Sequence, residues 1–105
     1  MVESQYQAKL IKKLNRMFPG CLVLKNDANY LQGILDLTIL YNQCWAALEV
    51  KAHDDAPLQP NQQYYLDQLN GMSFAAIIHP ENEEVVLDAL QEAFASRGRS
   101  CVPQS

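Results

Sequence analysis

The sequence predicts a mixed α/β domain in which an antiparallel hairpin and a helical crossover build one sheet with helices packed on it. Three observations carry this. Residues 34–41 and 44–52 alternate apolar and polar side chains with only Asn42-Gln43 between them, which is the economical pattern of a hairpin. Residues 3–18, and the segments opening at Pro60 and Pro80, repeat apolar residues at helical spacing. A short apolar stretch, Ser73–Ile78, separates the last two helices, so a strand rejoins the sheet after a crossover.

Taken in order, Tyr6, Leu10, Leu14 and Met17 form the apolar stripe of the first helix, widened by Ile11 and Phe18, and Lys9, Lys12, Lys13 and Arg16 take its other side. Pro19-Gly20 stops it. Cys21–Lys25 reads as a short strand and Asn26–Asn29 as a loop. In the hairpin, Leu35, Leu37, Ile39 and Tyr41 share an apolar face with Cys44, Ala46, Leu48 and Val50. His53–Pro57 is polar and loop-like. Pro60 suits the first turn of a helix whose inner face is Gln62, Tyr65, Leu66 and Leu69, with Gly71 as its C′ residue. Pro80 opens a last helix with Glu81, Glu83 and Glu84 at its positive end and Val85, Val86, Ala89, Leu90, Ala93 and Phe94 as its buried stripe. Residues 1–95 read as one domain and residues 96–105 as a flexible tail.

Composition narrows the function. At 105 residues, 49% hydrophobic and 19% charged, the chain suits one globular domain and neither a disordered chain nor a collagen-like repeat. No apolar run nears the ~18 residues of a membrane span, and Met1–Gln5 lacks the form of a signal peptide. Cys21, Cys44 and Cys101 are odd in number and form no CxxC pair, which disfavours a disulfide scaffold or zinc site and points to a reducing cytoplasm. The net charge of −4 divides into +2 over residues 1–52 and −6 over residues 53–105, which excludes a generic basic DNA-coating protein but permits one local basic face.

The polar residues of the hairpin share a face. With Tyr41 opposite Cys44, Asp36 stands opposite Glu49, their Cβ atoms about 4.5–5.5 Å apart, and Lys51 lies two residues beyond Glu49 on the same side. Opposed carboxylates repel, and a cation between them turns that repulsion into a binding site. Two carboxylates, a backbone carbonyl such as that of Val50, and waters form an oxygen set that suits Mg²⁺, with Mn²⁺ as a substitute, rather than Zn²⁺. A nearby lysine would steady negative charge developing on a phosphate. The same spacing also fits a surface ion-pair ladder in which the two carboxylates share Lys51. Gln62 sits on the inward stripe of its helix, and Glu3 lies along the Gln7–Leu10–Leu14 line and not on the basic side, so both are expected to converge on the hairpin trio. His53 with Asp54 and Asp55 is more simply a solvated loop, His79 a strand-end residue and Cys44 core. No Ser/His/Asp order, Gly-rich phosphate loop or HExxH occurs.

Glu3-Ser4-Gln5 opening a first helix, Gly33-x-x-Asp36, Glu49-Val50-Lys51 and Leu58-x-Pro60-x-Gln62 together resemble the VRR-NUC branch of the PD-(D/E)xK nucleases, over about residues 3–90. Each motif is short; their order on the expected elements is the specific part. The resemblance implies a restriction-endonuclease-like core in the order α-β-β-β-α-β-α. It implies Asp36 and Glu49 as metal ligands, Lys51 as the catalytic lysine, Glu3 as the acid of the first helix and Gln62 as the helix glutamine near the site. Leu35 replaces the family's usual proline, and Gln59 a common capping serine; neither change removes a ligand. Small standalone members act as phage-encoded, structure-selective endonucleases, working as homodimers on branched DNA such as four-way junctions. The expected function is therefore Mg²⁺-dependent hydrolysis of DNA phosphodiesters by a homodimer in the cytoplasm, the host's if the protein is phage-encoded, with Lys9, Lys12, Lys13, Arg16 and Lys25 as a phosphate track. Two symmetric cuts also need two sites related by a two-fold. The alternatives are a catalytically idle nuclease fold used for DNA binding or protein interaction, and a regulatory domain carrying the D/ExK pattern by chance.

Overall fold

The computed structural model describes residues 2–100. Seven elements follow in the expected order: α1 (Glu3–Met17), β1 (Leu22–Lys25), β2 (Leu37–Tyr41), β3 (Cys44–Val50), α2 (Pro60–Met72), β4 (Phe74–Ile78) and α3 (Glu83–Ser100). The sheet order is β1-β2-β3-β4, antiparallel from β1 to β3 and parallel between β3 and β4, with α2 as the crossover. Tyr41 faces Cys44 and Leu37 faces Leu48, the register expected from a two-residue turn. Asn42 supplies the left-handed residue at that turn, with φ 56°.

The two sheet faces are covered unequally. Alternation turns Leu37, Ile39, Cys44, Ala46, Leu48 and Val50 to one side, where α1 contributes Tyr6, Leu10, Leu14 and Phe18 and α3 contributes Val86, Leu87, Leu90 and Phe94. Burying each such leucine or isoleucine contributes about 1.5–3 kcal/mol, so this layer supplies most of the folding drive. Phe18, Tyr41 and Phe94 close its hairpin end, with ring centroids 5.1–5.7 Å apart. The opposite face holds a thin cluster of Leu35, Ala47 and Ala75 with half-buried Trp45, Leu66 and Leu69. Helix α2 lies on that side and has no fully buried residue. Its expected inner face (Gln62, Tyr65, Leu66, Leu69) is the half-buried one.

Several expectations need correction. Leu35 precedes β2 and packs with the α2-side cluster, not with Leu37 and Ile39. The chain bends there because the Asn26 amide donates to the Leu35 carbonyl (2.8 Å) and to the Thr38 hydroxyl (2.9 Å), which breaks the alternation. Pro80 does not open α3: the Asn82 side chain accepts from the His79 N–H and donates to the Ile77 carbonyl, forming a turn that delays the helix to Glu83. Val86, Leu90 and Phe94 are buried as expected, but Leu87 joins them in the core while Val85 and Ala89 are exposed. Gly71 lies within α2 rather than beyond its end. Cys21 precedes β1 and is buried in the main core. Of the expected tail, residues 96–100 continue α3, and residues 101–105 lie outside the described residues. Among the described residues no helix is long and apolar enough to cross a membrane.

Candidate active site

Three of the expected site residues enter from the end of the hairpin. Asp36 sits one residue before β2, Glu49 is the penultimate residue of β3 and Lys51 follows that strand. Glu49 continues the side of β3 that carries Trp45 and Ala47, which is the α2 side, and it is only 2% exposed. Gln62, in the first turn of α2, meets it there. The Gln62 Nε2 donates to Glu49 Oε2 at 2.7 Å, while its Oε1 accepts from Lys51 Nζ at 3.3 Å and from the Gln59 N–H at 3.0 Å. That last bond ties the amide to the start of α2 and fixes which of its ends faces the carboxylate. Lys51 Nζ also lies 3.3 Å from Glu49 Oε2. On the other side, Asp36 Oδ2 accepts the Val50 N–H at 2.8 Å, locking its carboxylate to β3.

The electrostatics are those of an anionic pair short of positive charge. Burial pushes the Glu49 carboxyl up to about 7, and the Asp36 carboxylate adds to the rise; Lys51 opposes it, and Glu3 reinforces it. Burial also raises Asp36, with the Val50 N–H and Lys51 pulling the other way. Glu49 Oε1 is buried and has no hydrogen-bond partner. An acceptor stranded in this way costs about 1–3 kcal/mol, more when charged. A buried acidic oxygen without a hydrogen-bond donor, beside a second carboxylate, fits a divalent cation bound by oxygen ligands. Among the described residues no three His, Cys, Asp or Glu side chains come together as a metal cage, so Asp36 and Glu49 are the side-chain ligands available, with the Val50 carbonyl adjacent in the chain.

The remaining expected residues divide. Glu3 is exposed at the start of α1, yet near enough to raise Glu49. Lys9, Lys12, Lys13 and Arg16 line one groove of about 480 Å³ with Tyr6, Pro80 and Glu83. Because β3 and β4 run parallel, Pro80 and Glu49 lie toward the same end of the sheet. Lys13 is not free for a ligand: its Nζ sits 2.7 Å from Glu83 Oε2, whose other oxygen accepts from the Tyr6 hydroxyl at 2.8 Å. Burial would raise the Glu83 carboxyl, but the Lys13 and Tyr6 bonds hold it below its usual range. Lys25 is absent from this groove and ends edge strand β1. His53, Asp54 and Asp55 are exposed, as a solvated loop requires.

Two contributors escaped the sequence reading. Asn26 braces the chain around Asp36, bonding the Leu35 carbonyl and the Thr38 hydroxyl through its side chain and the Asp36 carbonyl through its N–H, and a polar residue closing a short strand was its only signal. Glu83 organises the basic groove, and a partner 70 residues from Lys13 left no local trace.

Compared with family models, curated proteins and solved structures, the chain matches none.

Proposed function

We propose that this chain is a Mg²⁺-dependent DNA endonuclease with a restriction-endonuclease-like core of the VRR-NUC type, acting as a homodimer on branched DNA. The observation that carries the reading is the Asp36–Glu49 pair, with Glu49 buried, one of its oxygens unpartnered and Lys51 held beside it by Gln62. An idle module or a chance D/ExK pattern has no use for such a pair, whose electrostatic cost replacement by neutral residues would relieve.

Mg²⁺ or Mn²⁺ at this pair would polarise a phosphate oxygen and lower the pKa of a bound water. Asp36 and Glu49 would hold the ion, with the Val50 carbonyl within reach. Lys51, itself largely buried, keeps its ammonium beside the carboxylates without a ligand's lone pair, so its part is to stabilise negative charge developing on the scissile phosphate. Gln62 positions it, since one amide bonds both Lys51 and Glu49. Lys9, Lys12 and Arg16 supply phosphate contacts along α1; they span about 10 Å of helix axis, roughly three phosphates of one strand. Lys9 lies about 9 Å along that axis from Glu3, so the track leads toward the carboxylates. A second copy provides the second cut that a junction needs.

Cleavage of linear, flapped and four-way junction DNA with Mg²⁺ tests this. The expected result is metal-dependent nicking that favours junctions over linear duplex of equal length, is lost in Asp36→Asn, and comes from a particle of about twice 11.9 kDa by light scattering. No cleavage of any DNA with Mg²⁺ or Mn²⁺ would remove the nuclease reading. Cleavage by a monomer indifferent to branching would leave a nuclease but not a resolvase.

A further inference from the structure

Beside the carboxylates lies a second cavity with a different chemistry. The loop after β1 and the first turn of α2 enclose about 440 Å³ lined by Ala28, Gln32, Gly33, Gln59, Pro60, Asn61 and Gln62, with no charged side chain. Its walls are set by close backbone approach: a Cβ on Gly33 would collide with Asn61, and Gly33 has φ 91°, a conformation that disfavours any side chain. Of the amides here, Gln62 is engaged by Glu49, Lys51 and the Gln59 N–H, and Gln59 sits at the N-cap of α2. Gln32 and Asn61 are exposed, and their amides show no hydrogen bond to other described residues.

We infer that this cavity is a subsite for one unpaired nucleobase adjoining the scissile phosphate; the inference rests on the nuclease reading above. A primary amide presents a donor and an acceptor side by side, the pairing that Asn and Gln use on base edges. Gln32 and Asn61 offer two of these, and the Pro60 ring and the Ala28 methyl supply apolar surface for a base face. The lack of charge separates this cavity from the lysine-lined groove along α1, where phosphates belong. Asn61 is the chain neighbour of Gln62, whose amide bonds Glu49, so a base held here lies within about one nucleotide of the carboxylate pair. A base enters such a pocket at least cost where it is already unpaired, as at a branch point. The subsite thus gives a structural source for branch selectivity that does not depend on the dimer.

The test is binding, measured with the full chain in EDTA so that no cleavage intervenes. Two branched DNAs are compared, one with a natural unpaired base at the branch and one with an abasic residue in its place. The wild-type chain is expected to bind the natural DNA about tenfold or more tightly than the abasic one. Gln32→Ala/Asn61→Ala, altered at two exposed positions, is expected to lose that preference while binding abasic DNA as the wild type does. Equal wild-type affinity for the two DNAs would overturn the inference, as would a variant weakened equally on both, and either result would leave the nuclease reading standing. Failure to bind any DNA, in EDTA and with Mg²⁺ alike, would remove the nucleic-acid reading itself, and the subsite with it.

Discussion

The two faces of the sheet are built for opposite purposes. Under α1 and α3 the hairpin presents only apolar side chains, and Leu37, Ile39, Ala46, Leu48 and Val50 are all completely buried. Under α2 the strand β3 carries Trp45, Ala47 and Glu49, and the helix above it buries none of its residues fully. One face gains from every residue it removes from water. The other buries a carboxylate with an unpartnered oxygen and bears the resulting penalty. A strand's period of two makes this separation possible, since stabilising and charged residues alternate along β3 without touching. The main core is deep enough to support a poorly satisfied site on its reverse side.

Truncation on each face should show the largest contrast. Leu48→Ala, in the main core, is expected to cost about 2–5 kcal/mol, whereas Leu66→Ala, half-buried on α2, should cost about 1 kcal/mol. Chemical denaturation measures both, and equal costs would erase the difference between the faces. On the proposed reading, in which the ammonium serves the phosphate and not the ion, Lys51→Ala should retain Mn²⁺ binding in calorimetry yet lose cleavage by ~100-fold or more. Loss of metal binding with cleavage preserved would reverse those roles.

A third contrast is pH. Glu49 titrates near 7 when folded, above its ordinary 4.5, so the metal-free folded state holds a proton that the unfolded chain releases. Stability from this group is therefore fully present in acid and lost as pH rises from about 4.5 through 7, by up to roughly 3 kcal/mol. Asp36, also raised, acts with the same sign. Glu83 is lowered by Lys13 and Tyr6 and acts oppositely, its contribution lost as pH falls. In EDTA the melting temperature of wild type should fall between pH 5 and 8, and Glu49→Gln should flatten that fall. Parallel curves would place the titration elsewhere. The smallest effect concerns the groove: Lys9→Gln with Lys12→Gln should flatten the salt dependence of DNA binding by up to ~0.9 log–log units for each lysine replaced. An unchanged slope would move the phosphate track away from α1.

What could be read from the sequence follows from how local the determinant is. Alternation and a two-residue turn fix the hairpin register, so the nearness of Asp36 to Glu49 was legible, and so was Gln62, a polar residue on an apolar stripe. The side taken by Leu35 was not, because it depends on Asn26 reaching across to its carbonyl and on Gly33 seating against Asn61. The start of α3 was hidden for a related reason: Asn82 closes a turn through both of its amide atoms, which moves the helix start past Pro80. The engagement of Lys13 by Glu83 is purely tertiary. Sequence periodicity shows which residues share a face, and non-local polar contacts decide where each face begins.

The central proposal is that the Asp36–Glu49 carboxylate pair holds a divalent cation, and calorimetric titration of the metal-free protein with Mn²⁺ tests it most directly. Wild type should bind Mn²⁺ with an affinity that rises with pH from 6 to 8, as the proton on Glu49 ceases to compete, and Asp36→Asn and Glu49→Gln should each abolish the heat. Binding of equal strength in wild type and both variants, or none in wild type at pH 8, would contradict the account.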